Sequence, residues 1–282
     1  MTSFKKLQPE EYLSQHYDQG SRPDGRKGLS SLRPVSISVG SISTADGSAV
    51  VKQGDTIVVC GVKLEIAQPK AESPRDGFVV PNLTLSPLCH PQFRPGPPPD
   101  LAQVSSQFIY ETILNSGLLK VQDLCLLEGK YVWSIYVDLS CLNFAGNILD
   151  VCIKALVAAL QNVQVPAVKI VQNEDNDEVG IQVDLKGQKS RLKLGPIPTS
   201  CTLGAFGQEK LLLDPTDEEE EFSDAVVTVV LNGETNELCH VHKPGGSGIS
   251  PEMLQQCINM AKKNSKAIQK LISSASAAAL KN

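Results

Sequence analysis

Asp214 closes the apolar run Lys210–Leu213, and the carboxylates of Asp217 and Glu218 to Glu221 follow in the stretch KLLLDPTDEEEEF. A metal-dependent nuclease and a general acid both need carboxylate oxygens held on rigid backbone, and a strand end supplies that. A solvated, self-repelling loop is nevertheless the favoured reading of a charge block this long, and only Asp214, adjoining the strand, escapes that discount. In HVHKPGGSG, His240 and His242 alternate along a strand and share a face, as two metal ligands do. No third ligand lies near them, so two ordinary histidines are the favoured reading. GGSG before a helix could cradle a phosphate on backbone N–H groups, but no Walker lysine follows its last glycine. RPDGR, residues 22–26, reads as a tight turn with Asp24 paired locally to an arginine.

The eight cysteines form no CxxC pair, and most fall in apolar runs, where cysteine is a small buried hydrophobe. Reduced thiols in a cytosolic or nuclear protein are expected. No Ser/His/Asp order and no zinc spacing stands out, so no catalytic constellation, cofactor or metal is expected.

The elements that must hold these residues alternate in style. Leu7 to Tyr17 reads as a short helix closed by Gly20. VSISVG, AVVK and TIVVCGVKLEIA read as a β-meander. Pro69 to Asp100 is rich in proline and polar residues and reads as a long surface loop. It carries Arg75 and Arg94, free to meet a polyanion or an acidic neighbour. LAQVSSQFIYETILNS sets Leu101, Val104, Phe108, Ile109 and Ile113 on one helical stripe. YVWSIYVDLSCL reads as a strand buried on both faces, and ILDVCIKALVAALQ as a helix at the protein's centre. Gln172 to Glu178 reads as a linker. VGIQVDL, KLLLD and AVVTVVL read as strands, and NGET as a hairpin turn into ELCHV. Ser250 caps a last helix with Pro251 at its first position, and the tail SSASAAALKN is expected to fray. The order gives an α+β fold: an arm (1–30), a first lobe (31–166), a linker with an edge strand (167–189) and a second lobe (190–282).

The chain has 282 residues, 41% of them hydrophobic, and a net charge of −5, so no global basic field advertises nucleic-acid binding. No apolar run is long enough for a signal peptide or a membrane span, and no membrane partner is expected.

Together, RPDGR, GSISTADGSAVVKQGDTIVVCGVK, GPPPD, LEGKYVWSIYVDLSCLNFAGNILDVCIKALVAAL, LLLDPTDEEE and HKPGGSG resemble the RNase PH-like ring subunits of the eukaryotic RNA exosome. The resemblance runs from about Glu10 to Lys262 and is strongest to the inactive, forty-two-type branch. It implies a two-lobed α+β fold with mixed β-sheets and packed helices, six such chains alternating around a pore. Active members degrade RNA from the 3′ end with inorganic phosphate, using arginines to hold phosphate and backbone and a carboxylate as general acid. On the simplest alignment Gln107, Glu111 and Leu114 fall on their arginine-rich helix, and Ile148 replaces their phosphate-binding arginine. The general acid falls near Val226, with Asp224 a rival, and Asp214 matches only the start of the acidic loop. The resemblance thus implies a vestigial acidic patch without its cationic half, and a structural subunit that channels RNA. Its implied partners are other ring subunits, RNA-binding cap subunits, RNA and a separate hydrolytic exonuclease. It further implies roles in rRNA processing and mRNA decay in nucleus, nucleolus and cytoplasm. Arg94 and Arg75 are the candidate RNA contacts; the alternative is an active phosphorolytic 3′–5′ exoribonuclease.

Overall fold

A computed structural model describes residues 5, 7–172, 179–184, 187, 189–207 and 210–279. Helix α1 (Pro9–Asp18) leads into a six-stranded sheet: β1 (Val35–Val39), β2 (Gly47–Gln53), β3 (Thr56–Ala67), β4 (Phe78–Leu85), then, after helix α2 (Asp100–Ser116), β5 (Cys125–Leu127) and β6 (Tyr131–Asn143). The order is β1-β2-β3-β6-β4, with β5 also on β6; the meander is antiparallel and β4 runs parallel to β6. Helix α3 (Ile148–Asn162) follows, apolar on nearly every side, and every residue from Asp150 to Leu160 is buried. Such a helix has no face to give to water, and it packs against β2 and β3 on one side and β11 on the other.

Two ribbons come next: β7 (Gln164–Val165) with β10 (Ser190–Arg191), and β8 (Ala167–Gln172) with β9 (Val179–Asp184). The second sheet is antiparallel, ordered β12-β11-β13-β14, from β11 (Pro198–Phe206), β12 (Lys210–Leu213), β13 (Ala225–Asn232) and β14 (Leu238–His242). Between β12 and β13 sits a one-turn helix, α4 (Asp217–Glu221), and the chain closes with α5 (Pro251–Ala279). The Ser250 hydroxyl accepts the Met253 N–H at 3.2 Å, the expected cap. No helix of the described residues is long and apolar enough to cross a membrane. Six of the eight cysteines are buried and all are free.

Several expectations change. The segment Pro69–Asp100 is not all loop: β4 lies inside it, with Val79, Leu83 and Leu85 buried, and Cys89 and Phe93 join the core beyond it. Pro81 disguises this strand, and it is tolerated because β4 is the sheet's edge. Strand β11 has no counterpart in the sequence reading, since PTSCTLGAF is small and polar; yet all but Phe206 are buried. In α2 the buried stripe is rotated: Ala102, Ser105, Phe108, Ile109, Thr112 and Ile113 face inward, while Leu101 and Val104 are 39% and 43% exposed. The small residues let the helix lie close on β4. Strand β6 is buried on both faces only from Val132 to Ile135, and then exposes Tyr136, Asp138, Ser140 and Leu142 alternately. The tail does not fray at Ser273: α5 continues to Ala279, held where Ile272 enters the core and the Ser276 hydroxyl donates to Gln161. Residues 173–178 of the expected linker lie outside the described residues.

Candidate functional site

The acidic run is not a solvated loop throughout: Asp214 and Glu219 are buried and Asp217–Glu221 form α4, while Glu221 stays exposed. Asp214 is fully buried in a left-handed conformation (φ 54°), and donors surround it. Arg33 gives its backbone N–H (2.8 Å), Nε (3.0 Å) and Nη2 (2.8 Å); Gln53 Nε2 (2.8 Å) and Asn147 Nδ2 (2.6 Å) complete the shell. Burial pushes this carboxyl's pKa up, but the Arg33 hydrogen bonds and charge, with the Asn147 amide, outweigh it and hold it well below the usual range. Glu219 is buried too. Its carboxylate takes Nε of Arg22 at 2.9 Å and also pairs with Nη2 of that fully buried arginine. Glu219 also closes a capping box with Thr216, which starts α4. The remaining Arg22 donors reach the Leu213 and Asp214 carbonyls. Of the two arginines in RPDGR, Arg26 pairs locally with Asp24 as expected (2.5 Å), and Arg22 does not. The cations that answer the acidic run thus come from the N-terminal segment, which turns a presumed vestige into a structural clasp.

The clasp ends at the N-terminus of α3. Gly146 (φ 80°) must be glycine, since a Cβ there would lie 2.3 Å from the Asp217 amide nitrogen. Asn147 (φ 50°) follows, and its N–H donates to Glu220 Oε1 at 2.8 Å. A helix N-terminus attracts anions through its unpaired N–H groups and dipole; here a carboxyl of the chain itself occupies that position. Burial raises the Glu220 pKa to about 7, with Asp214 and Asp217 adding to the rise against the Asn147 N–H and Arg33. Asp150 accepts from Thr202 N–H and hydroxyl, both at 3.0 Å, which ties α3 to β11. The loop after β4 completes the surroundings: the Phe144 N–H donates to the Cys89 carbonyl, and His90 Nε2 lies 3.9 Å from Asp217.

The model for the 3′ exoribonuclease family, domain 1, matches residues 31–166, and that for domain 2 matches residues 197–264. Exosome complex component rrp43 of Schizosaccharomyces pombe is 42% identical over 263 residues, 92% of this chain and 93% of that protein. The chain belongs to the 3′ exoribonuclease family. Exosome complex component Rrp42 of Methanopyrus kandleri is 35% identical over 90% of this chain and 91% of its own length. A structure of the Archaeoglobus fulgidus exosome with RNA bound to the active site superposes with a TM-score of 0.81 at 30% identity, covering 93% of this chain and 96% of that one. The two-lobed RNase PH fold with mixed sheets and packed helices is the family's.

At the positions that the family resemblance marks out, this chain has few cations to offer. Gln107 hydrogen-bonds Glu111 at 2.9 Å, Leu114 is 40% exposed, and Ile148 is buried. Glu111 lies 3.7 Å from His240, whose ring, like that of His242, packs on Phe108. Among the described residues no group of three or more His, Cys, Asp and Glu could hold a metal. Val226 lies within β13. Asp224 is exposed just before that strand, beside a cavity of about 590 Å³, and accepts the Gly207 N–H at 2.6 Å. The GGSG turn folds over it: Gly246 (φ 75°) abuts the Asp224 carbonyl and Ser247 N–H donates to it. Arg75 and Arg94 are exposed, outside this cluster; Arg75 pairs with Glu128 at 2.7 Å, and Arg94 has no partner among the described residues. Sequence reading missed Arg33, Gln53, Asn147, Asp150 and the buried Lys154, whose Nζ donates to Gln53 Oε1 at 2.9 Å. Asp150 and Lys154 were detectable as two charges in a helix otherwise apolar; Arg33, Gln53 and Asn147 carry no local signal.

Proposed function

We propose that the chain is a non-catalytic subunit of an RNA exosome ring, which scaffolds the ring and channels RNA for 3′-to-5′ processing and degradation elsewhere in the complex. The observation that carries this reading is Glu220 at the N-terminus of α3. Phosphorolysis needs a site for inorganic phosphate, and a carboxyl on the Asn147 N–H competes with any anion there. Gln107, Glu111, Leu114 and Ile148 add no compensating charge, and losing one arginine from a desolvated anion site costs about 2–5 kcal/mol. Relatives bearing exosome names match over nine-tenths of the chain, which supports other RNase PH-like ring subunits and RNA as partners. Cap subunits, a separate hydrolytic exonuclease and a distribution over nucleus, nucleolus and cytoplasm belong to the same proposal on the strength of the resemblance.

Arg94 and Arg75 are proposed as RNA contacts, with Arg94 the freer because Glu128 already holds Arg75. The test is reconstitution with RNase PH-like ring partners. The parent is expected to enter a ring by native mass spectrometry, and Arg75→Glu/Arg94→Glu to weaken RNA threading while leaving the ring intact. A ring broken by the double variant, with RNA affinity per intact ring unchanged, makes the loop an assembly element instead.

A further inference from the structure

Helix α5 spans both lobes: Met253, Cys257 and Ala261 are buried in the second core, Ile268 and Ile272 in the first. Its opposite face carries Lys262, Lys263, Lys266 and Lys270, all exposed. Residues 253–282 contain five lysines and no Asp or Glu, so the rest of a chain of net charge −5 carries −10. The elements packed most closely on α5 are β1, β11, β13 and α3. They hold one carboxylate between them, Asp150, which is buried and bonded to Thr202 and Asn147. In the turn after β13, which carries Glu234, Gly233 lies against the Gln269 side chain. None of the four lysines has an ion pair among the described residues. An acidic molecule that gathers uncompensated cations on one helix face creates a local positive field there.

The spacing of this row is regular. Lys262, Lys266 and Lys270 recur every ~6 Å along the helix axis, comparable with the separation of successive phosphates in an extended polynucleotide strand. Lysine suits such a partner, because a compact charge on a flexible stem neutralises phosphate without demanding a sequence. We propose that the lysine row of α5 docks the phosphate backbone of single-stranded RNA. The surface is separate from the candidate site. None of the four lysines belongs to the cluster around Asp214 and Glu220, and Lys262 lies ~14 Å by helical rise from Met253, which lines the cavity beside Asp224. The choice of RNA over an acidic polypeptide rests on the even spacing and on the family; it depends neither on catalytic silence nor on Arg75 and Arg94.

The test is fluorescence anisotropy of a labelled oligouridylate with the full chain, from low to physiological salt. Lys262→Glu/Lys266→Glu/Lys270→Glu is expected to weaken binding by ~10-fold or more and to flatten the slope of log K against log salt by about two, the share of three phosphates. The corresponding triple arginine variant keeps the parent's affinity. Arg75→Glu/Arg94→Glu leaves the loss caused by the lysine triple undiminished, which keeps the two surfaces distinguishable. If the glutamate triple does not fold, by circular dichroism, the glutamine triple is read against the same criteria. Unchanged affinity and slope in a folded triple overturn the proposal. So does loss of polyglutamate binding with RNA affinity intact, which assigns the row to an acidic protein.

Discussion

Asp214 looked catalytic because an apolar strand delivers it into a run of acid, and its surroundings make that role impossible. Every oxygen is bonded and the side chain is sealed from water. Asp214→Asn leaves the buried Arg33 without its counter-charge, so a loss of ~3–5 kcal/mol in urea unfolding is expected. Because its folded pKa lies below the usual value, the stability it contributes is present above about pH 4 and fades as the pH falls through the carboxylate range. Glu220 works in the opposite sense. With a folded pKa of about 7 against an ordinary 4.5, it keeps its proton in the fold while the unfolded chain releases one. Stability from this group therefore falls as pH rises from about 4.5 to 7. Glu220→Gln is expected to gain stability relative to the parent across that window, read from urea midpoints at pH 5 and pH 8; equal differences at both would contradict it. None of this was legible from the acidic run, since its answering cations, Arg22 and Arg33, sit far away in sequence.

At the scale of elements, periodicity served where an element has one kind of environment. The β1–β3 meander, the largely apolar α3 and the capped α5 were all readable. Strand β4 was hidden by Pro81, and β11 by Thr199, Ser200, Thr202 and Gly204; once α5 and α3 cover the sheet, the Thr199 hydroxyl pairs with Ser265 and that of Thr202 with Asp150. The one-turn α4 was unreadable because its sequence is a charge block, and the capping box and Arg22 make it a helix. The contact between α4 and the start of α3 has a sharp test at Gly146, where a methyl group would meet the Asp217 backbone. Gly146→Ala is expected to cost more than ~1 kcal/mol, from left-handed strain and from the displaced turn. An unchanged urea midpoint would show that the turn yields freely.

At the scale of the molecule, the chain keeps apolar side chains in water: Leu88 is 94% exposed, Leu142 54% and Leu238 50%. Extensive partner-facing surface is expected of a ring subunit, so the isolated chain should self-associate in sedimentation at micromolar concentration. A stable soluble monomer would count against the ring. This member of an exoribonuclease family is proposed to have no activity of its own. The most direct test is to incubate the purified chain with single-stranded RNA, inorganic phosphate and Mg²⁺, and to assay nucleoside diphosphates. No release above the protein-free blank is expected. Nucleoside diphosphates that accumulate with the parent and vanish with Asp224→Asn would contradict it.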